Sequence, residues 1–195
     1  MNTIIRPERR RPISSGSLHE ALRVGTQPLH GAVDALFSRF DLATRQGYGA
    51  FLRAQAAAVV AVEHRLEQAD VDALFPDWPE RRRGAAVTID LAAFGATPRP
   101  APCPALRSVE AVLGGLYVLE GSRLGGRLLL RRVAAPGMPV NFLNHGVGHG
   151  LWQSFLRILK SFESPGLDVE AMVDSARMVF AVFELAALYE GEQIG

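Results

Sequence analysis

The chain has 195 residues, of which 48% are hydrophobic and 21% are charged, and its formal net charge is +1. That length and composition suffice for one sizeable core in one or at most two domains. A charge so close to zero gives no electrostatic reason to expect nucleic acid as a partner.

The first sixteen residues, MNTIIRPERRRPISSG, carry charges and prolines without an apolar run behind them. They predict a flexible tail over 1–16 and not a signal peptide, with 17–195 forming one helical domain. No 18 consecutive residues are apolar, so no membrane span is predicted. Cys103 is the single cysteine and cannot form an internal disulfide, which favours a cytoplasmic location.

The predicted elements along the first half of the chain are helices. Ser17, with Glu20 three residues later, has the spacing of a capping box and predicts a first helix of about twenty residues. Pro28 lies inside that helix and predicts a bend or a break one turn earlier. A second helix is predicted from Thr44 to about Ala69, and a third from Asp77 to about Phe94.

The second half continues in the same way after GATPRPAPCP, whose four prolines predict a stiff connector. A fourth helix is predicted over Leu106–Val133, and a loop through NHGVGHG follows it. A helix over Leu151–Phe162 comes next, and Asp168 caps a last helix that reaches about Tyr189. No β-branched alternation occurs in the chain, so the predicted fold class is all-α.

Five glycines lie within GGLYVLEGSRLGGRLLL, residues 114–130 of the fourth predicted helix. Each costs roughly 1 kcal/mol relative to alanine in a helix interior. At 100° per residue, Gly121 and Gly125 fall within about 20° of Gly114, and all the small residues share an arc of roughly 140°. The opposite face of the helix carries charged residues and is predicted to be exposed to solvent. These residues are Glu120, Arg123 and Arg127.

Two explanations of this side-chain-free face stay open on geometry alone. Gly121 and Gly125 have the G-x-x-x-G spacing that lets two helix backbones approach closely. Alternatively, a flat and bulky ligand lies directly against the backbone, as glycine permits. A phosphate loop is excluded, because neither of its glycine patterns is present and no strand precedes the segment.

One histidine stands out by its neighbours on the first predicted helix. Arg23, Thr26, His30 and Asp34 are spaced 3, 4 and 4 residues apart, so they line one edge of that helix. An imidazole that binds iron through one nitrogen needs an acceptor for its other N–H, and Asp34 is within reach of that role. The alternative is an ordinary surface histidine at an amphipathic boundary.

Two segments together resemble the haem oxygenase family, and in particular its bacterial biliverdin-producing members. They are LRVGTQPLH at 22–30 and LYVLEGSRLGG at 116–126. The resemblance covers nearly the whole chain after about residue 16, including the tryptophan-bearing segment LWQSFLRIL. It implies a single-domain multi-helix bundle that holds haem between the first helix and a glycine-rich distal helix.

The resemblance also implies the roles of particular residues. His30 is then the proximal ligand of the haem iron, and Gly121, Ser122, Gly125 and Gly126 form the distal, catalytic side. Arg23 is the first candidate for a haem propionate, and Thr26, on the same edge of the helix, is a further haem-binding candidate. Tyr117 and Arg157 are further candidates, with the alternatives that Tyr117 belongs to the core and Arg157 to the surface.

The implied activity is oxidative cleavage of haem to biliverdin, with release of carbon monoxide and ferrous iron. Haem is both cofactor and substrate, and electrons come from an external donor, either a protein or a small reductant. A bacteriophytochrome that receives biliverdin is a candidate partner. Many family members carry a distal aspartate where this chain has Ser122, and this departure leaves the distal proton path and the attacked ring carbon open.

Two other functions stay open at this stage. One is a haem-binding sensor or carrier of the same fold without turnover, which the serine at position 122 motivates. The other is a helical interaction protein whose glycine face packs against another helix.

Overall fold

The computed structural model of the chain describes residues 17–133 and 137–193, apart from the side chain of Arg127. The predicted tail over 1–16 lies outside the described residues, as do residues 194 and 195 of the predicted domain. Every regular element within the described ranges is a helix, and the predicted all-α class is confirmed.

The helices follow one another in nine segments within those ranges. In chain order they are α1 (Leu18–Phe37), α2 (Arg45–Glu67), α3 (Val71–Leu74), α4 (Trp78–Arg81), α5 (Gly84–Ala92), α6 (Val109–Leu130), α7 (Asn141–Asn144), α8 (Leu151–Ser161) and α9 (Val169–Glu192).

Helix α9 is the centre of the bundle, because it packs against α1, α2 and α6. The shared core is continuous and includes Leu22 of α1, Phe51 of α2 and Leu116 of α6. Burying a side chain of this size stabilises the fold by about 1.5–3 kcal/mol. The smaller helices α5, α7 and α8 then cover the remaining sides of α2 and α6.

Side chains that cap the long helices fix where these helices begin. Ser17 accepts a hydrogen bond from the backbone N–H of Glu20, and Thr44 accepts one from Gly47. Ser108 and Asp168 do the same for α6 and α9. These groups satisfy N–H donors that have no partner inside the helix. The starts predicted at Ser17, Thr44 and Asp168 are therefore confirmed.

Helix α1 continues through Pro28, so the alternative of a break is wrong. Proline removes one helical N–H donor and crowds the preceding turn. The Pro28 ring and Val24, one turn earlier, are both exposed, so water solvates the carbonyl that loses its bond. The opposite side of the helix packs on α9, and this tertiary contact holds α1 in one piece.

The predicted third helix is interrupted, and this is a second correction. Arg82 adopts an extended conformation between α4 and α5. The buried Glu63 carboxylate of α2 accepts the backbone N–H of Arg83 at 2.5 Å and that of Gly84 at 2.8 Å. A partner twenty residues away thus caps α5, which a local pattern does not reveal.

Candidate functional site

A cavity of about 580 Å³ lies between α1, α2, α6, α8 and α9. Its volume is within the range of about 300–1,000 Å³ that is typical of ligand pockets. His30 and Asp34 of α1 line it, and so do Gly121, Ser122 and Gly125 of α6. The residues predicted for the two sides of a haem site therefore border one space.

The His30 ring is oriented by two neighbours. Its Nδ1 lies 3.1 Å from Oδ2 of Asp34, one turn further along α1. The Phe180 ring of α9 meets it edge to face, with ring centroids 5.8 Å apart. In this contact the carboxylate is placed to accept a proton on Nδ1, and the tautomer that carries it there leaves Nε2 as the nitrogen for a metal. Nε2 has no hydrogen-bond partner among the described residues.

The glycines of α6 serve two different purposes: one allows close helix packing, and others leave space beside the cavity. A methyl group at Gly114 would collide with the backbone of α9 at Met172, so this glycine serves close helix packing. A methyl group at Gly125 would meet nothing within 4 Å, and one at Gly121 would only reach Trp152 at 3.8 Å. Helix packing does not require glycine at positions 121 and 125, which face the cavity.

Gly126 differs from its neighbour. A methyl group there would lie 3.2 Å from the carbonyl oxygen of Leu143, just before the end of α7. Gly126 borders a second, adjoining cavity. Of the four residues predicted for the distal side, Gly126 is the one that does not line the His30 cavity.

Two large apolar side chains of α6 lie open on the wall of the His30 cavity. Leu124 is 59% exposed and Leu128 is 66% exposed. Exposed leucines that line a concave space are apolar surface that a ligand can cover. This surface, the glycine gap and the oriented imidazole together fit the size and chemistry of a flat tetrapyrrole.

The other predicted haem-binding residues occupy different places. Arg23 is exposed and holds the Glu20 carboxylate through two bonds of 2.9 and 2.7 Å, away from the cavity lining. Thr26 is buried, and its hydroxyl donates to the Leu22 carbonyl at 2.7 Å. Tyr117 lines the cavity beside Thr26, and burial raises the pKa of its hydroxyl. Arg157 is exposed on α8 and is not part of the lining.

Sequence reasoning did not identify Arg132. Among the described residues, it is the one arginine that lines the His30 cavity. It is exposed just beyond α6 and is the better placed anion partner for a propionate. A signal was available, since seven residues separate it from Gly125, about two helical turns. His19, Gln55 and Trp152 also line the cavity and were not identified.

The charged face of α6 is buried around Glu120, so the prediction that this face is exposed to solvent is wrong. Glu120 is 0% exposed and forms ion pairs with Arg81 at 3.1 Å and with Arg123 at 3.0 Å. Glu120 and Arg123 are thus paired one turn apart along α6. Charges on one helix face usually indicate solvent, because burying an unpaired charge is costly. Here α4 supplies Arg81 as the partner, and the side chain of Arg127 is not described.

Arg83 connects this buried region to the cavity. Its Nη2 donates to Ser122 Oγ at 2.6 Å and to the Leu119 carbonyl at 3.0 Å. Ser122 Oγ in turn donates to the same carbonyl at 2.8 Å. Burial lowers the pKa of the Arg83 guanidinium to about 9, and the nearby charge of Arg123 adds to this. The guanidinium remains charged at neutral pH.

An all-α bundle that sets an oriented histidine across a cavity from a side-chain-free helix face has the architecture of a haem-binding protein. Within the described residues, no group of three or more His, Cys, Asp and Glu side chains could hold a metal ion. No described helix combines the length and the apolar character that crossing a bilayer requires.

Comparison with known proteins identifies the family. The chain is 31% identical to heme oxygenase PigA of Pseudomonas aeruginosa over 156 residues, which cover 74% of this chain and 78% of the relative. It is 36% identical over 93 residues to a heme oxygenase of Xanthomonas campestris, covering 47% of this chain and 56% of the relative. The chain therefore belongs to the haem oxygenase family. No family model matches it.

A solved structure supports the fold independently. The NO- and CO-bound heme oxygenase from Neisseria meningitidis matches with a TM-score of 0.73, over 89% of this chain and 92% of that chain. The two sequences are 23% identical in this comparison, so the likeness shows the fold.

Proposed function

We propose that this protein is a haem oxygenase that binds haem in the His30 cavity and opens it to biliverdin, with release of carbon monoxide and ferrous iron. One observation carries the proposal: in a chain of this family, His30 and the open glycines Gly121 and Gly125 border a single cavity. Bound haem supplies the iron at which dioxygen is activated, and an external donor supplies the electrons.

The chain's own residues position and shield that chemistry. Nε2 of His30 is the proposed iron ligand, and Asp34 holds the proton on Nδ1. Gly121 and Gly125 let the ring plane approach the α6 backbone, and Leu124 and Leu128 exclude water from its faces. Arg132 is the proposed propionate partner inside the cavity, with Arg23 and Arg157 as proposed partners from outside it.

Ser122 is the proposed polar group on the distal side. Its single hydroxyl proton is bonded to the Leu119 carbonyl, and one oxygen lone pair accepts from Arg83. One lone pair therefore remains, so Ser122 Oγ is available as an acceptor and not as a donor. In this arrangement Arg83 supplies a fixed positive charge next to the cavity.

The decisive experiment adds haem, oxygen and a reductant to the purified protein. We expect a ferric spectrum with a histidine ligand, followed by biliverdin absorption, and chromatography of the pigment identifies the isomer. His30→Ala should remove the histidine-ligated spectrum and the turnover. His64→Ala is the matched control, since His64 is exposed on α2 and does not line the cavity. Unchanged turnover in His30→Ala would contradict the assignment of the ligand.

A sensor or carrier without turnover is the second candidate function. It is favoured by Ser122 alone, whose proton is committed to Leu119 and cannot be donated to a ligand without rotation of the hydroxyl. Stable histidine-ligated haem that never yields biliverdin in the same experiment would establish this function and exclude the oxygenase.

The partners and location that follow from this function are also proposals. They are an electron-donor protein or a small reductant, a bacteriophytochrome that receives biliverdin, and residence in the cytoplasm. A bacteriophytochrome mixed with the protein during turnover should acquire the absorption of its assembled chromophore. Loss of the pigment to bulk solution would count against direct transfer.

A further inference from the structure

A second cavity of about 520 Å³ adjoins the His30 cavity beside α6. The residues that border both cavities are Phe51, Gln55, Ser122, Leu124, Leu129 and Trp152. Arg83, Arg123 and His145 line the second one, and no carboxylate is among its described lining residues. The loop NHGVGHG, which the haem site does not use, forms its rim.

Arg83 is the strongest feature of this cavity. The residue is 5% exposed, yet no carboxylate of the described residues forms an ion pair with its guanidinium. Both of its hydrogen bonds leave from Nη2, so Nε and Nη1 have no hydrogen-bond partner within the described chain. Glu120 and Glu63 favour the charge of Arg83 from a distance, and the Phe142 ring lies 4.9 Å from its Cζ. No carboxylate of the described residues is in ion-pair contact with it, and an anion in the adjoining space would supply that contact.

The nearby carboxylates have other partners or lie outside the cavity. Glu120 Oε2 is shared between Arg81 and Arg123, while its buried Oε1 has no hydrogen-bond partner among the described residues, and Asp77 is paired with Arg81. Glu63 accepts the backbone N–H groups of Arg83 and Gly84. None of these three carboxylates lines the second cavity. Among the described residues, the lining of the second cavity therefore contains two arginines, Arg83 and Arg123, and no carboxylate.

The first turn of α8 adds to the same positive potential. This helix of 11 residues begins after Gly150, whose φ is 64°, and it has no capping side chain and no acidic residue in its first turn. Leu151, Trp152 and Gln153 of that turn line the cavity. Uncapped N–H groups and the helix dipole both favour an anion at this end of a helix.

His145 completes the lining as a neutral group. Its Nδ1 lies 3.3 Å from Nη1 of Arg123, a geometry in which the imidazole accepts and the guanidinium donates. The pKa of His145 is lowered to about 4 by burial first and then by Arg123, Arg83 and His149. The other N–H of the neutral ring is thus available as a donor in a cavity of positive potential.

We propose that this second cavity binds a small anion with oxygen acceptors, either a monocarboxylate or an inorganic oxyanion, between Arg83, Arg123 and the first turn of α8. The bidentate geometry of guanidinium groups suits both kinds of ligand. Arg83 and Arg123 do not line the His30 cavity, and the proposed site does not depend on haem or on turnover.

The test uses the haem-free protein at pH 7, titrated by calorimetry with sodium acetate and, separately, with sodium phosphate. Ionic strength is kept constant with sodium chloride. We expect saturable binding of at least one probe. Tighter binding of acetate indicates a monocarboxylate ligand, and tighter binding of phosphate indicates an inorganic oxyanion. Neither probe binding saturably would overturn the proposal.

Arg83→Met and Arg82→Met form a matched pair of variants. Methionine retains the aliphatic part of Arg83 and removes its charge, so affinity should fall about tenfold or more. Arg82 is the next residue in the chain, is exposed, and borders a different cavity. Arg82→Met should bind like the wild type, and an equal loss in both variants would show a diffuse charge effect and overturn the site.

Val147→Glu tests the site without removing a buried charge, should Arg83→Met fail to fold. Val147 is 44% exposed on the cavity rim, so a glutamate there places a tethered carboxylate beside the proposed ligand position. It should abolish acetate and phosphate binding. Val24→Glu, on the exposed side of α1, should not. Unchanged binding in Val147→Glu would contradict the location.

Discussion

Asp34 is the residue whose proposed role follows most directly from one distance, the 3.1 Å between its Oδ2 and Nδ1 of His30. Asp34→Asn keeps the shape and removes the charge that makes the imidazole a stronger ligand. Loss of such an outer partner typically weakens metal binding by 10–100-fold. We expect haem affinity to fall by about tenfold and the iron–histidine stretching frequency in resonance Raman spectra to decrease.

Asp174→Asn is the control for this change. Asp174 is an exposed aspartate on α9 that pairs with Arg177 and lies outside the cavity lining. Its substitution should leave haem affinity and the stretching frequency unchanged. If Asp34→Asn behaves like Asp174→Asn, the Asp34–His30 bond does not act on the ligand.

His145 gives the residue-scale prediction for pH. Its folded-state pKa of about 4 is below the ordinary value of 6.5. Between these values the unfolded chain binds a proton that the folded chain does not, so the free energy of unfolding falls as pH falls from about 6.5 to 4. Histidine NMR should show this ring still neutral at pH 5.5.

His145→Gln removes this contribution. Denaturant unfolding at pH 7 and at pH 4.5 should show a smaller loss of stability on acidification in the variant than in the wild type. An equal loss in the two proteins would mean that His145 titrates alike in the folded and unfolded chains.

At the scale of the element, α6 combines two kinds of glycine, and a pair of substitutions separates them. Gly114→Ala should destabilise the protein by about 1–3 kcal/mol, because the added methyl group meets the α9 backbone. Gly125→Ala should leave stability unchanged or raise it by up to about 1 kcal/mol, because alanine favours a helix and the space is open.

Haem binding should respond in the opposite order to stability. Gly125→Ala places a methyl group in the proposed ring position and should weaken haem affinity, whereas Gly114→Ala should retain it in the folded fraction. Denaturant unfolding and haem titration of both variants measure the two effects. A destabilised Gly125→Ala with normal haem affinity would favour the helix-packing explanation along the whole glycine face.

The starts and interruptions of the helices show which structural features can be predicted from the sequence alone. Ser17, Thr44 and Asp168 were found because a cap acts on the N–H groups two or three residues later, within one helical turn. The interruption at Arg82 was not found, because Glu63 of another helix causes it. Pro28 is a related case, in which packing on α9 outweighs a local helix-breaking signal.

In the candidate site, too, features set within one helix are predictable from the sequence, and features set by contacts between helices are not. The edge containing His30 and Asp34 and the glycine face are periodic within one helix each, and periodicity in the sequence is sufficient to locate them. The Arg83–Ser122 bond joins residues 39 positions apart, and the pairing that buries Glu120 requires α4 to fold across α6. Charge patterning alone therefore predicted solvent where the fold places a buried network.

At the scale of the whole molecule, the two cavities share the wall that contains Ser122. Arg83 reaches that wall from the second cavity through its bond to Ser122 Oγ. An anion on Arg83 would neutralise a charge that otherwise opposes ferric iron across the wall. Haem affinity should therefore rise when acetate or phosphate, whichever binds, saturates the second cavity.

Linkage makes this expectation quantitative, because the factor by which the anion tightens haem must equal the factor by which haem tightens the anion. Couplings between sites in one protein are typically about 5–150-fold, and both titrations can resolve such a factor. Ser122→Ala removes the bond that joins the cavities and should reduce the factor while both sites still bind. A factor of one in the wild type would mean that the two sites act independently across α6, since each is established by its own titration.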